Sequence, residues 1–353
     1  MAKTTRNPAG DPPSLAEQLV PVGDERITVP EFLRRTADLL EGAGTREAGD
    51  PAGAGGSARA EDLARLADVF LGAGVPALRE AHRDPGWVEF RVSVVEDRRR
   101  AWYAALLGEV RALRDSGDVA NFFFVHKQPG FRIRFEVGSR KREPVALRLR
   151  RWLAERRAEG VVTEWGPAVY EPEQHLFGGP ASMRSVHRLF TADSLVWLEY
   201  HSADAPAGPS WALALLQLKS LFGELQVHDY EDRDIWDRLR GQAHRRFPAG
   251  EPKDWTRISH DLRRLWHSPE ALHPLVGPVS LALTEEFRRL AHEECEVWRR
   301  QHFLASGATV GVREAAAFFT VFLWNRARVS LDVQIATSEA LVLGPPYPMK
   351  EES

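Results

Sequence analysis

Between Trp87 and Tyr170 the spacing of apolar residues passes from two to about 3.6 and back, twice over, which restricts this stretch to a sheet crossed by helices. Trp87 to Val94 places Val88, Phe90, Val92 and Val94 on one side and Glu89, Arg91 and Ser93 on the other, the period of a half-buried strand. Arg98 to Arg114 follows with Trp102, Leu106, Val110 and Leu113 at helical spacing. Val119 to Lys127 and Phe131 to Val137 read as strands joined by the turn Gln128-Pro129-Gly130. Glu143 to Ala158 is a second helix with Val145, Leu149, Trp152 and Leu153 inward, ended by Gly160. Val161 to Tyr170 returns to strand.

The order β-α-β-β-α-β predicts an α+β protein built on a split βαβ, ferredoxin-like sheet. Such a sheet packs both helices on one face and leaves the other open. Phe131, Ile133 and Phe135 then meet the helices, while Arg132, Arg134 and Glu136 share the open face with Glu89, Arg91 and Ser93. After Gly179 the chain turns mainly helical, with apolar stripes in Trp211–Leu225, Asp234–Arg245, Trp255–Trp266, Leu281–Trp298 and Val312–Ile335. Ahead of the sheet, Pro30–Glu41 and Ala60–Ala81 read as helices. Between them, residues 42–58 are rich in Gly, Ala, Pro and Asp, and predict a mobile loop because they bury too little apolar surface to offset their ordering entropy. The expected regions are therefore 1–86 (helices), 87–179 (sheet) and 180–353 (a helical region completing a cleft).

Composition removes several classes of function. A net charge of only -3 argues against a nucleic-acid partner, whose phosphates are held by many Lys and Arg contacts. No apolar run is long enough to span a bilayer, and Met1 to Asp11 lacks an apolar signal core, so no membrane partner and a cytoplasmic location are expected. Cys295 is the one cysteine, and the 12 histidines show neither HExxH nor HxH spacing, so no metal is expected. There is no GxSxG elbow, no phosphate-binding lysine loop and no GxGxxG after a strand.

Four segments can carry chemistry. Glu89, Arg132 and Arg134 are either the solvated side of a sheet, with ion pairs of small value, or the lining of a cleft under the helical region. Tyr170-Glu171-Pro172-Glu173-Gln174-His175-Leu176-Phe177-Gly178-Gly179 offers a phenol, carboxylates and an imidazole at a strand end, the groups of acid–base chemistry, or else an ordinary turn. In Leu189-Phe190-Thr191-Ala192-Asp193-Ser194, Asp193 or Ser194 is expected to cap a following helix. Trp324-Asn325-Arg326 lies on an aromatic stripe, where buried polar groups need partners.

Taken together and in order, these segments resemble the C-terminal elimination domain of lantibiotic dehydratases and its stand-alone thiopeptide relatives. The family carries approximately HLRxR on a strand, YxPE followed by Arg-Tyr-Gly-Gly, then Phe-x-x-Asp-Ser, then a helix with His-x-x-x-Asn-Arg. The matches are Arg132 and Arg134; Tyr170, Pro172, Glu173, Gly178 and Gly179; Phe190, Asp193 and Ser194; and Asn325 and Arg326, within a similarity running from about Trp87 to the C-terminus. The departures are Phe131 for the strand His, Leu176-Phe177 for the Arg-Tyr before the glycines, and Val321 for the His before Asn-Arg. The resemblance implies that the missing Arg and His would bind a glutamyl adduct and move protons as glutamate leaves, which leucine and valine cannot do.

The sequence is similar to the branch of this family that keeps the fold without glutamate elimination, the thiopeptide pyridine synthases. That resemblance implies a formal [4+2] aza-cycloaddition between two dehydroalanines of a thiazole-rich precursor peptide, with release of leader peptide and water. Such a reaction needs no cofactor, because aligning diene and dienophile is mainly a problem of orientation. Tyr170 and Glu173, with Glu89 in reserve, would move the proton of the amide that tautomerises. Arg132, Arg134, Ser194, Trp324, Asn325 and Arg326 would hold the peptide. Two other readings stay open: glutamate elimination with His175 or His201 in place of the missing groups, and a non-catalytic scaffold that presents the precursor to other enzymes.

Overall fold

The computed structural model describes residues 14–41, 55–81, 85–204, 208–228, 230–242, 245–248, 250–305 and 307–345. The chain forms two compact units, Met1–Asp84 and Pro85–Ser353. In the first, β1 (Leu19–Val22) pairs antiparallel with β2 (Glu25–Thr28), followed by α1 (Val29–Leu40) and α2 (Gly55–Ala81). The sequence reading had no strand here, since four-residue strands hold too few alternating positions to show a period. Val22, Ile27 and Phe32 make a small core with Val20, Leu63 and Leu66 packed on it. Of the expected loop 42–58, residues 42–54 lie outside the described residues, whereas 55–58 form the first turn of α2.

The second unit opens with β3 (Pro85–Val94), α3 (Arg99–Asp115), β4 (Val119–Lys127), β5 (Gly130–Gly138), α4 (Arg142–Ala158) and β6 (Val162–Ala168). The strands form one sheet in the order β4-β5-β3-β6, each neighbouring pair antiparallel. On its apolar face Trp102 of α3 lies 5.7 Å from Phe131 and 5.4 Å from Trp152 of α4, ring centre to ring centre. Leu106, Val110, Leu113 and Leu149 are wholly buried there, each contributing about 1.5–3 kcal/mol relative to exposure.

The other face is covered rather than open. Glu89, Arg134 and Glu136 are only 5%, 8% and 9% exposed, so the solvated-face reading fails for them, although Arg91 remains exposed. The cover comes from the helical half: α5 (Pro180–Ser202), α6 (Ser210–Glu224), α7 (Glu231–Gly241), α8 (Trp255–His267), α9 (His273–Trp298), α10 (Val312–Ala327) and α11 (Leu331–Leu341). The sequence reading missed α5 because it is buried on nearly every side, leaving no apolar stripe against a polar background. Asp193 and Ser194 therefore sit inside a helix and cap nothing, contrary to expectation. The expected helix from Asp234 to Arg245 stops at Gly241, and Val312–Ile335 is two helices, broken at Arg328 in the left-handed region (φ 54). Ser330 restarts the chain as the cap of α11, its hydroxyl accepting from the Val333 N–H.

Helix α5 runs along β4, the edge strand, whose outward N–H groups need acceptors. Phe122 N–H donates to Thr191 Oγ1 at 3.0 Å and Phe124 N–H to Ser194 Oγ at 3.4 Å. Two strand residues advance ~6.6 Å while three helical residues advance ~4.5 Å, so α5 falls behind the strand. The third donor passes to α10: His126 N–H donates to Asn325 Oδ1 at 2.7 Å, and Asn325 Nδ2 donates back to His126 O at 2.9 Å.

Candidate functional site

The strand register sets Arg134 directly across from Glu89 on one side and Phe123 on the other, all on the covered face. Arg134 Nε donates to Glu89 Oε2 at 2.9 Å, and Arg132 Nε lies 3.5 Å from Glu89 Oε1. One carboxylate thus holds both arginines of the strand. The Arg134 guanidinium sits 5.0 Å above the Phe123 ring and 4.7 Å above the Tyr170 ring, and its Nη1 is buried without a hydrogen-bond partner. Among the described groups this is a donor aimed at nothing, and a guanidinium keeps its charge at any working pH.

Ala168, the last residue of β6, pairs with Glu89, and two residues on, Tyr170 folds back toward the same row. Its hydroxyl is 2.8 Å from His187 Nε2 on α5, and Trp87 and Phe123 enclose both rings. Burial, with the Arg134 charge adding to it, holds the His187 imidazole down at about 3, so it is neutral. Burial also pushes the Tyr170 phenol above its ordinary range, opposed by Arg134 and assisted by Glu173, Glu89 and Glu136. Glu173 is half-buried and opens the short turn Gln174–Phe177. The turn ends at Gly178 (φ +86), where a Cβ would meet the His302 ring at 2.4 Å; left-handed backbone and close packing together demand glycine. Glu136 completes the row, accepting from Asn121 Nδ2 at 2.6 Å.

The other predicted residues lie elsewhere. Ser194 and Asn325 close the edge of β4, and Trp324 is buried beside Trp236 and under Arg245. Arg326 is fully buried and pairs through Nε with Asp193, itself held by Trp197 Nε1 and Gln217 Nε2. Phe123 and Phe190 are 5.2 Å apart and carry the Arg134 and Arg326 guanidiniums respectively, so two aromatic rings separate two cations. His175 is exposed, while His201 Nε2 donates to Arg326 O at 2.9 Å and its ring stacks on Tyr103. Sequence reasoning missed His187, Asn121 and Thr191. The signal for two of them was present, because His187, Thr191 and Ser194 recur at four and three residues along one helix face. The described residues contain no group of three ligands able to hold a metal ion, and no described helix is long and apolar enough to cross a membrane.

The covered sheet face thus holds paired arginines, a carboxylate and a phenol–imidazole pair. Residues 87–332 match the family model for the C-terminal part of lantibiotic biosynthesis dehydratases, and the chain belongs to that family. Among solved structures, the tRNA-dependent lantibiotic dehydratase MibB from Microbispora sp. 107891 superposes with a TM-score of 0.54 at 16% identity, over 72% of this chain. The match takes up 28% of MibB, so the chain spans little more than a quarter of that enzyme. TsrL aligns over 71% of this chain and 98% of its own at 14% identity, with a TM-score of 0.26. No curated protein matches the chain by sequence.

Proposed function

We propose that this protein is a cofactor-independent enzyme of thiopeptide biosynthesis that joins two dehydroalanines of a thiazole-containing precursor peptide by a formal [4+2] cycloaddition. The observation that carries the reading is a buried cluster, Glu89, Arg134 and Tyr170 beside Glu173, in a chain that has Leu176 and Val321 where the resemblance says elimination would need an arginine and a histidine. Leu176 and Val321 are packed against the hydrophobic core, and neither side chain can move a proton. The strand order and antiparallel pairings support reading the sheet as the ferredoxin-like split βαβ.

In this mechanism Arg134 Nη1 takes a main-chain carbonyl of the peptide, and Tyr170 and Glu173 manage the proton of the amide that becomes imidic-acid-like. Orientation supplies most of the acceleration. Arg132 serves through Glu89, the carboxylate they share. The leader, ahead of the reacting core, tethers the peptide, so a leaderless core is expected to turn over more slowly.

Incubation of dehydrated, thiazole-bearing precursor with the protein alone, followed by mass spectrometry, tests the reading. Loss of a leader fragment plus water is the expected result. Loss of glutamate from a glutamylated precursor would assign elimination instead, and an unchanged peptide would assign a scaffold. Tyr170→Phe and Glu173→Gln should bind peptide and lose roughly 10²–10⁴ in kcat, the usual cost of removing an acid–base group. Wild-type rates in both would remove these residues from the mechanism.

A further inference from the structure

We propose that His187 fixes the hydroxyl proton of Tyr170 away from the ligand, so that Tyr170 meets the ligand as a hydrogen-bond acceptor and the site selects an N–H or O–H donor there. The inference deepens the cycloaddition reading and rests on it for the identity of the peptide, but not for the direction of the hydrogen bond.

The 2.8 Å separation of Tyr170 Oη and His187 Nε2 requires one proton between them. If Nε2 carried it, the phenol would need a second acceptor for its own proton. Its aromatic neighbours Trp87 and Phe123 provide none, and Arg134, lying over the Tyr170 ring, can only donate. No described carboxylate hydrogen-bonds that hydroxyl: Glu89 and Glu136 take Arg134 and Asn121, and His187 is its one partner among the described groups. A phenol proton on Nε2 leaves nothing buried and unsatisfied in this pair, and burial, with the nearby guanidinium adding to it, keeps the imidazole neutral and able to accept. Tyr170 then presents lone pairs, and Arg134 Nη1 presents the unpartnered buried donor on the same face. An acceptor and a donor side by side are the complement of the N–H and C=O that one residue of an extended peptide presents on the same edge, carbonyl toward Arg134 and N–H toward Tyr170. His187 is a positioning residue, acting through Tyr170.

Long-range proton–nitrogen NMR on the whole protein with nitrogen-15 histidine reads the tautomer directly, without peptide or turnover. The expected His187 Nε2 is unprotonated and changes its shift on Tyr170→Phe. A protonated Nε2 would overturn the proposal, because the phenol proton would then be free to turn toward Glu173 or the ligand. With the thiazole- and dehydroalanine-containing precursor, His187→Phe should weaken Kd roughly tenfold, the loss of one oriented hydrogen bond, and His187→Gln should recover most of it. In a Tyr170→Phe background His187→Phe should add nothing, and additive losses would overturn the role. Because the tautomer and Kd are measured without chemistry, a protein inactive in cycloaddition would sink the proposed function while leaving this inference standing or falling by itself.

Discussion

Asp193 and Arg326 form an ion pair shut away from solvent. Both are fully buried, and the two terminal nitrogens of Arg326 have no protein partner, so the ion pair carries the guanidinium almost alone against the Phe190 ring. Removing one member of a buried pair strands the other charge, at about 3–5 kcal/mol. Asp193→Ala should therefore lower stability by about that amount in urea unfolding. The double replacement Asp193→Leu with Arg326→Met should recover most of the loss, since apolar pairs of similar size replace buried ion pairs with little net change. A double variant as unstable as Asp193→Ala would show that the pair serves more than its own neutralisation.

At the scale of elements, the edge of β4 is closed by side chains from two helices rather than by another strand. Thr191→Val keeps the shape of the side chain but leaves Phe122 N–H without its acceptor, at roughly 1–3 kcal/mol. Asn325→Ala removes both hydrogen bonds to the His126 main chain and is expected to cost more than Thr191→Val. Hydrogen exchange locates the effect: the Phe122 amide loses protection in the first variant and the His126 amide in the second. Uniform loss across the sheet would mean that the edge does not open by itself. The same geometry gives Ser194 and Asn325 work in the fold, as polar groups at fixed helical positions where a strand edge needs acceptors.

At the scale of the whole molecule, burial keeps His126, His187 and His201 neutral and lowers His302 as well. Burial holds His126 and His187 at about 3 and His201 at about 4, below the usual value near 6.5 for an unfolded chain. The unfolded state then binds more protons than the folded state between those values, so stability is complete above about pH 6.5 and falls as the pH drops toward 4 and then 3. The urea midpoint should be lower at pH 5 than at pH 7, and His187→Phe should flatten part of that slope; a midpoint independent of pH would show that these imidazoles are not buried in solution. Between Trp87 and Ala168 most strands and helices were legible because apolar residues mark the side facing the core and polar ones the other, a period the sequence keeps even where the sheet's second face is covered. Arg132, Arg134, Tyr170 and Glu173 were legible as chemical candidates for the same reason, as polar residues at ordered positions on or beside strands. What tertiary structure alone decided is which of them meet. The helix carrying His187, buried on nearly all sides, shows no apolar period. The partnership of His187 with Tyr170 spans a strand end and a helix 17 residues on. That of Asp193 with Arg326 spans 133 residues. Contacts of that kind depend on how far one element slides past another, a length set by packing and recorded in no local pattern.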